Sequence, residues 1–412
     1  MAPLFSFGCL IYKYMRISYN LGFYMLDLRK FIMESVKTPA GDKGGIQHIE
    51  HPSDNTFDSE DSAKKSISTL KGVVSGTTPA TTKVDDRMSY NVIRTKDGKV
   101  GVKYKGPGSQ YNFSNEDIDR QHGHKPYLAH PLKLLLEHLP KVLPKRQGEW
   151  QGGYLSSPAD RTINNGRISH TPNTIKYSVP TDTEEGKKLQ NSKVSTVIHS
   201  ELVGPNREAR PVLDTSEFGS HPDVHIMNHV VSNEEQNNID PVTKRLVNSH
   251  LKSAEKLTAK HSWDHTAGHE KTLRSYINST VDSGETPSAE GYKEHLKKYH
   301  QKRIDGVKTQ KAKDAKKAEM DAALSHVDKN KKAFNRSFQI HGHVQAATNL
   351  LARGLAKVSH GGYHHEIDGK PTGPEGFVAN GLKVVDREDF SKNNRARTAI
   401  LRASKTLAKK VA

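Results

Sequence analysis

The chain of 412 residues has a single cysteine, Cys9, so neither an internal disulfide framework nor a cysteine-based zinc finger can hold it together. It is also short of hydrophobic residues. These make up 33% of the chain with 31 glycines besides, against roughly 45–50%, glycine included, for an average soluble domain. That shortage argues against a uniformly packed globule and against a polytopic membrane protein. Two apolar runs, Met1 to Tyr12 and Ile17 to Leu26, fall well short of the ~20 residues of a spanning helix. Their neighbouring charges, Lys13 and Arg16, follow the first run, whereas a signal peptide carries its positive charge before the apolar stretch. A start of translation at Met25 or Met33 accounts for the segment; a membrane anchor is the other reading.

Acidic residues are in deficit too: 63 Lys and Arg face 46 Asp and Glu, for a net charge of +17. Such an excess points to a polyanionic partner, nucleic acid first and an anionic membrane surface second. Solvated lysine-rich helix faces are the bland alternative. The 23 histidines add positive charge below about pH 6.5.

Along the chain, Ser59 to Gly76 reads as one helix that Asp61 or Ser62 can cap, with Ile67, Leu70 and Val73 on one face. From Thr82 to Val203 the pattern turns strand-like. Met88 to Ile93 and Val100 to Tyr104 flank a tight turn at Lys96 to Lys99, a hairpin signature. Tyr127 to Leu143 is a helix with Leu132, Leu135, Leu136 and Leu139 on one stripe, ended by Pro140 and Pro144. Trp150 to Ser156, Thr174 to Val179 and Val194 to Ile198 are further strands. Pro241 to Lys357 is helix-forming, and its Lys302 to Lys332 stretch has only a thin apolar stripe, so a helical subdomain or partial disorder is expected there. Two short strands follow, around Phe377 and Val384, and Arg395 to Ala412 reads as a basic helix.

Three residues in this order carry a possible chemistry. Lys83, at a strand-loop junction, can attack a nucleotide α-phosphorus if burial or a second cation leaves its amine deprotonated. Glu375, at the mouth of an apolar strand, offers oxygen to Mg²⁺. Lys383, within the next strand, suits an α-phosphate. Alone, the Lys83-Val84-Asp85 triplet has little weight.

In that order, however, the chain resembles the covalent nucleotidyltransferase superfamily of polynucleotide ligases and capping enzymes, and more closely a ligase-like group encoded by tailed phages. The matching segments are Lys83-Val84-Asp85-Asp86, Val102 to Lys105, Tyr111 to Asp119, Leu132 to Lys141, Gln151-Gly152-Gly153, Pro172 to Pro180, Lys193 to His199, Tyr276 to Asn278 and Lys383 to Ser391, over residues 46–394. The resemblance implies an α+β fold, a ligase-type antiparallel-sheet nucleotidyltransferase domain with a long helical insertion. Its organisation would be an extension at 1–45, a first catalytic part at 46–230, the insertion at 231–360, a second catalytic part at 361–394 and a basic tail at 395–412.

By the same resemblance ATP and Mg²⁺ are the cofactors and DNA or RNA the partner, with no membrane span. Lys83 is the adenylated nucleophile and Asp85 fixes its loop. Lys105 contacts phosphate or nucleic acid, Lys383 holds the α-phosphate, Glu375 binds the metal, and Tyr177 with Ile198 lines the base pocket. The setting implied is the cytoplasm of an infected bacterial host, or the virion.

Two residues depart from the group's pattern. Asp86 stands where the motif has glycine, and Gly153 stands where an acid follows Gln-Gly. Each is a plausible loss of activity, which leaves open an inactive nucleic-acid-binding or virion-associated protein with the same fold. Glu149 shares the parity of residue 153 but lies about 13 Å along a strand, too far to substitute. His341-Gly342-His343 and His364-His365-Glu366 invite a metal reading, but neither has helical His-Glu-x-x-His spacing, and chance clustering among many histidines explains them better.

Overall fold

The computed structural model describes residues 49–359 and 362–388. The expectations for the extension at 1–45 and the tail at 395–412 lie outside the described residues. The described chain is mixed α+β with mainly antiparallel sheets. Its elements run α1 (Glu60–Ser75), β1 (Ala80–Lys83), β2 (Met88–Arg94), β3 (Val100–Tyr104), α2 (Asn115–His122), α3 (Pro126–His138), β4 (Gly148–Ser156), β5 (Arg161–Asn164), β6 (Arg167–His170) and β7 (Lys176–Pro180). Next come α4 (Glu184–Asn191), β8 (Val194–Val203), β9 (Glu208–Pro211), β10 (Val224–Ile226) and β11 (Val230–Val231). The helices α5 (Asn233–Asn237), α6 (Pro241–Thr258), α7 (Glu270–Ser283), α8 (Ala289–Asp305), α9 (Gln310–Lys329) and α10 (Lys331–Val358) follow. Four strands finish the fold: β12 (His364–Ile367), β13 (Lys370–Thr372), β14 (Gly376–Ala379) and β15 (Leu382–Val384).

Strands from before and after the helices share sheets. One sheet has the order β11-β1-β14-β15, a second β10-β8-β4-β2-β3 with β9 against β8, and a third β13-β12-β7-β6-β5. Among the described strand pairs, only β10 with β8 is parallel. The hairpin β2–β3 forms as its alternation predicts, with Tyr90 opposite Tyr104 and Val92 opposite Val102.

The first two sheets are covered by helices whose apolar stripes match them. Leu128, Leu132, Leu135 and Leu139 lie with Ile118 on the second sheet, against Tyr90, Trp150 and Ile198. Ile67, Leu70 and Val73 of α1 join Val247 and Leu251 of α6, Val344, Leu351 and Leu355 of α10, and Ala80, Phe377 and Val384 of the first sheet. The third sheet's core holds Ile168, Ile175, Tyr177 and Val179, with Val84 packed at its margin. The cap of α1 is Ser59, whose hydroxyl accepts from the Ser62 N–H at 3.1 Å, rather than Asp61 or Ser62.

The helical stretch is not one separate insertion as the sequence suggested. Its first and last long helices, α6 and α10, complete the core beneath the first sheet. The part between them has a core of its own: Leu273, Tyr276, Ile277, Tyr292, Leu296 and Val327 close on Phe334 and Phe338 from the first half of α10, with Phe57 from near the start of the described residues. Lys302 to Lys332, where partial disorder was the other expectation, is helical along most of its length, and α9 buries only Val327.

Candidate active site

Lys83 ends β1, where its backbone pairs with Gly376 of β14. β14 in turn pairs with β15, placing Val378 opposite Lys383. Two ladders thus bring together residues about 300 positions apart. Gly376 has φ +153°, and a Cβ there would fall 2.5 Å from Val385 Cγ2, so only glycine lets the chain turn into β14 directly after Glu375. Glu375 accepts an ion-paired hydrogen bond from Lys83 Nζ, and its own side chain is 13% exposed.

The charges of this group shape one another. Burial pulls the Lys83 pKa down, but the Glu375 carboxylate, its hydrogen bond, and Asp85 and Asp86 outweigh burial and hold it above the ordinary lysine value. The resting side chain is therefore an ammonium, contrary to the neutral amine expected from burial or a second cation. Burial raises Glu375, helped by Asp85 and opposed by Lys83. The lowered amine is Lys383, depressed by burial and then by the Lys83 charge. Its backbone N–H donates to Glu50 O at 2.9 Å, which anchors β15 to the start of the described chain.

The loop after Lys83 is tied down by Asp85, which is buried. Its carboxylate accepts from Asn173 Nδ2 at 2.9 Å and from the N–H groups of Thr174 and Ile175 at 2.6 and 2.9 Å. The Asp85 N–H donates to Tyr177 Oη at 2.8 Å. Val84, between the two charged residues, turns into the third core. The loop therefore joins all three sheets. Tyr177 supports it from below: its ring is 1% exposed and boxed edge-on by His170, Tyr363 and His365. It offers no face to a base. Ile198 is likewise corrected from pocket to core, where it packs with Trp150 and the α3 leucines.

Asp86 continues the loop toward β2 and accepts from Ser89 Oγ at 2.7 Å. Burial lifts its pKa to about 6; the Ser89 hydrogen bond and Lys83 oppose the rise, while Asp85 and Glu375 add to it. Lys105 follows β3, its N–H bonded to Ser89 O at 3.0 Å. His199, on β8, is held down to about 3 by burial first and then by the charges of Lys105, His229 and Lys83. The field of Lys83 and Lys105 thus meets at His199, to which sequence reasoning assigned no role. Nothing in its local pattern marks it beyond its place at the end of the Lys193 to His199 segment.

Glu149 is spoken for: it pairs with Arg207 and accepts from Tyr111 and from Asn91 Nδ2. The two histidine clusters disperse. His341 faces Asp54 and stacks on Phe57, His343 meets His250 at 3.1 Å, and His365 lies against Tyr177. Among the described residues no three His, Cys, Asp or Glu side chains are grouped to hold a metal ion. No described helix is long and apolar enough to cross a membrane.

Residues 46–397 match the model of a family of unknown function, DUF6267. The chain belongs to that family. No curated protein and no solved structure matches it.

Proposed function

We propose that this DUF6267 chain is a ligase-like nucleotidyltransferase that forms a lysyl-AMP intermediate on Lys83 and uses it to activate or join nucleic-acid ends. The observation that carries the reading is the meeting of Lys83, Glu375 and Lys383 through β1, β14 and β15, in a loop braced by Asp85. Lys83 Nζ first loses its proton to solvent along its side chain, which is 29% exposed. It then attacks the α-phosphorus of ATP: the N–P bond forms, the bond to the bridging oxygen breaks, pyrophosphate leaves, and a second proton passes from the nitrogen to solvent. Lys383 and Lys105 are the cations for phosphate oxygens.

Mg²⁺ is usually held by one or two carboxylates together with substrate phosphates. Glu375 and Asp86 are the oxygen donors that would hold it, and it would supply positive charge at the phosphates. Nucleic acid is proposed as the second substrate on the net charge of +17. Several lysines of α8 and α9 are already paired with acids, Lys293 with Asp328, Lys297 with Glu294 and Lys316 with Glu319, so the grip on a backbone falls to the cations between them.

Incubation with α-labelled ATP and Mg²⁺ or Mn²⁺ should label the protein covalently, and Lys83→Ala should abolish the label. If none of the four nucleotides labels the chain with either metal, the enzyme reading is wrong. One observation favours an inactive nucleic-acid-binding relative instead, namely the resting ammonium of Lys83 locked to Glu375. That reading gains if salt-dependent binding to DNA or RNA occurs without any adduct.

A further inference from the structure

We propose that Asp86 and Gly153 are a single exchange, in which the acid that the resemblance implies on the strand residue after Gln-Gly is delivered here from the adjoining loop by Asp86. The inference rests on the nucleotidyl-transfer reading and assigns that site a carboxylate the sequence counted as lost.

The geometry leaves room for a side chain at only one of the two positions. A Cβ at Gly153 would lie 2.4 Å from Asp86 Cβ, 2.4 Å from Asp86 Oδ2 and 2.8 Å from Asp86 Cγ. Such distances are forbidden, so Asp86 requires glycine at 153, and the space taken is the first atom of the missing β4 side chain. The carboxylate is held there by design of the register. Ser89 pairs with Gly153 across β2 and β4, and its hydroxyl donates to Asp86 Oδ2 at 2.7 Å. Asp86 therefore stands over the very strand residue it replaces.

It also stands in the right field. Lys83, Asp85 and Glu375 all act on its ionisation. Glu149, the nearest acid in strand sequence, is engaged by Arg207 and Tyr111 and is not available for the role. Asp86 accordingly presents an acceptor oxygen beside the nucleophile, to the bound nucleotide and its cation.

Four proteins test this: the natural chain, Asp86→Gly, Gly153→Asp and the double variant, each assayed for labelling by α-labelled ATP with Mg²⁺ and for thermal melting. Asp86→Gly should melt near the natural chain but label about 100-fold more slowly, the scale expected for loss of one positioned polar group. Gly153→Asp should lose both stability and labelling, because two side chains contend for one place. The double variant should regain both. Asp86→Asn, which keeps the shape and loses the charge, should label as slowly as Asp86→Gly.

Undiminished labelling by Asp86→Gly, or a folded double variant no faster than Asp86→Gly, overturns the proposal. If the natural chain itself fails to label, the nucleotidyl-transfer reading falls, and melting alone then judges the exchange. Recovery of Gly153→Asp by Asp86→Gly then upholds only that the two side chains share one place, with the role at the nucleotide overturned; equal destabilisation with and without Asp86 refutes the exchange as well.

Discussion

Replacing Asp85 with alanine tests the frame that holds Lys83 in place. The Asp85 carboxylate is 7% exposed and accepts three hydrogen bonds, from Asn173 Nδ2 and from the Thr174 and Ile175 amides, at 2.6 to 2.9 Å. A hydrogen bond to a charged group contributes about 1.5–3 kcal/mol net. The full amount will not be lost three times over, because Asn173 and Thr174 are partly exposed and regain water. Ile175 is buried, and its N–H would be left dry. The expected cost is about 3–4 kcal/mol. Asparagine keeps one acceptor oxygen, so Asp85→Asn should cost about half as much. Urea unfolding with an unchanged slope measures both values. Hydrogen exchange at the Thr174 and Ile175 amides should accelerate in Asp85→Ala in the same proportion. A loss below about 1 kcal/mol for alanine, or equal losses for alanine and asparagine, would refute the view that this carboxylate organises the loop.

Other perturbations follow from the same contacts. Glu375→Gln removes the ion-paired counter-charge of Lys83 and leaves burial opposed only by Asp85 and Asp86, so the Lys83 pKa should fall; acylation of Lys83 by a water-soluble reagent should then begin at lower pH than in the natural chain. Arg387, buried against Asp54 at 2.7 Å and bonded to Asn278 at 2.5 Å, ties the end of the described chain to its start and to α7; Arg387→Ala should cost about 3 kcal/mol in urea unfolding, because the buried Asp54 loses its guanidinium partner and keeps only His341. Asp54 itself is pushed up by burial but held well below the usual carboxylate range by His341 and Arg387. Its contribution is therefore complete above about pH 4 and is lost as pH falls below that, visible as a falling urea midpoint that Asp54→Asn flattens. His170 and His265 are held down to about 3 and about 4 by burial first, so they fold neutral. Their contribution is present above about pH 6.5 and is lost as pH falls from there toward those values, a slope that His170→Gln and His265→Gln should each reduce.

Local signals explain which parts of this fold could be read from sequence. The β2–β3 hairpin has its turn and its alternation within seventeen residues, Met88 to Tyr104, and both survive in the structure. The stripes of α1 and α3 were legible because helical spacing alone selects the buried face. Strands such as β5, whose Arg161–Asn164 side chains are mostly exposed, have no apolar period to detect. β12 looked like a histidine cluster, and becomes a strand only because His364, His365 and Glu366 find Ser178, Tyr177 and Lys176 on β7. The division of the helical stretch was hidden for the same reason. Nothing local tells α6 and α10 that their partners are Ala80 and Phe377 on the first sheet. Resemblance supplied Lys83, Asp85, Glu375 and Lys383 as candidates, and the strand pairing brings them together. It also counted Asp86 and Gly153 as two losses, since their overlap exists only after β4 is laid beside β2.

The net charge that first suggested a polyanionic partner has to be separated from the charge of the pocket. Around Lys83 the cations Lys105 and Lys383 are opposed by Asp85, Asp86 and Glu375, so the site is close to balanced while the chain as a whole is +17. A polyphosphate entering such a site alone would meet Glu375 and Asp86 as like charges in a buried setting, where repulsion is poorly screened. Their burial already pushes both carboxyls toward the protonated form. The combination favours ligands that arrive with their own cation, because one divalent charge offsets the carboxylates and the phosphates together. Nucleotide affinity in this chain should therefore depend steeply on divalent cation and only weakly on monovalent salt. Binding of DNA or RNA by the exposed lysines of α8 and α9 should show the opposite dependence, falling as counterion release is suppressed. The two responses separate a pocket built for a nucleotide from a surface that is merely basic.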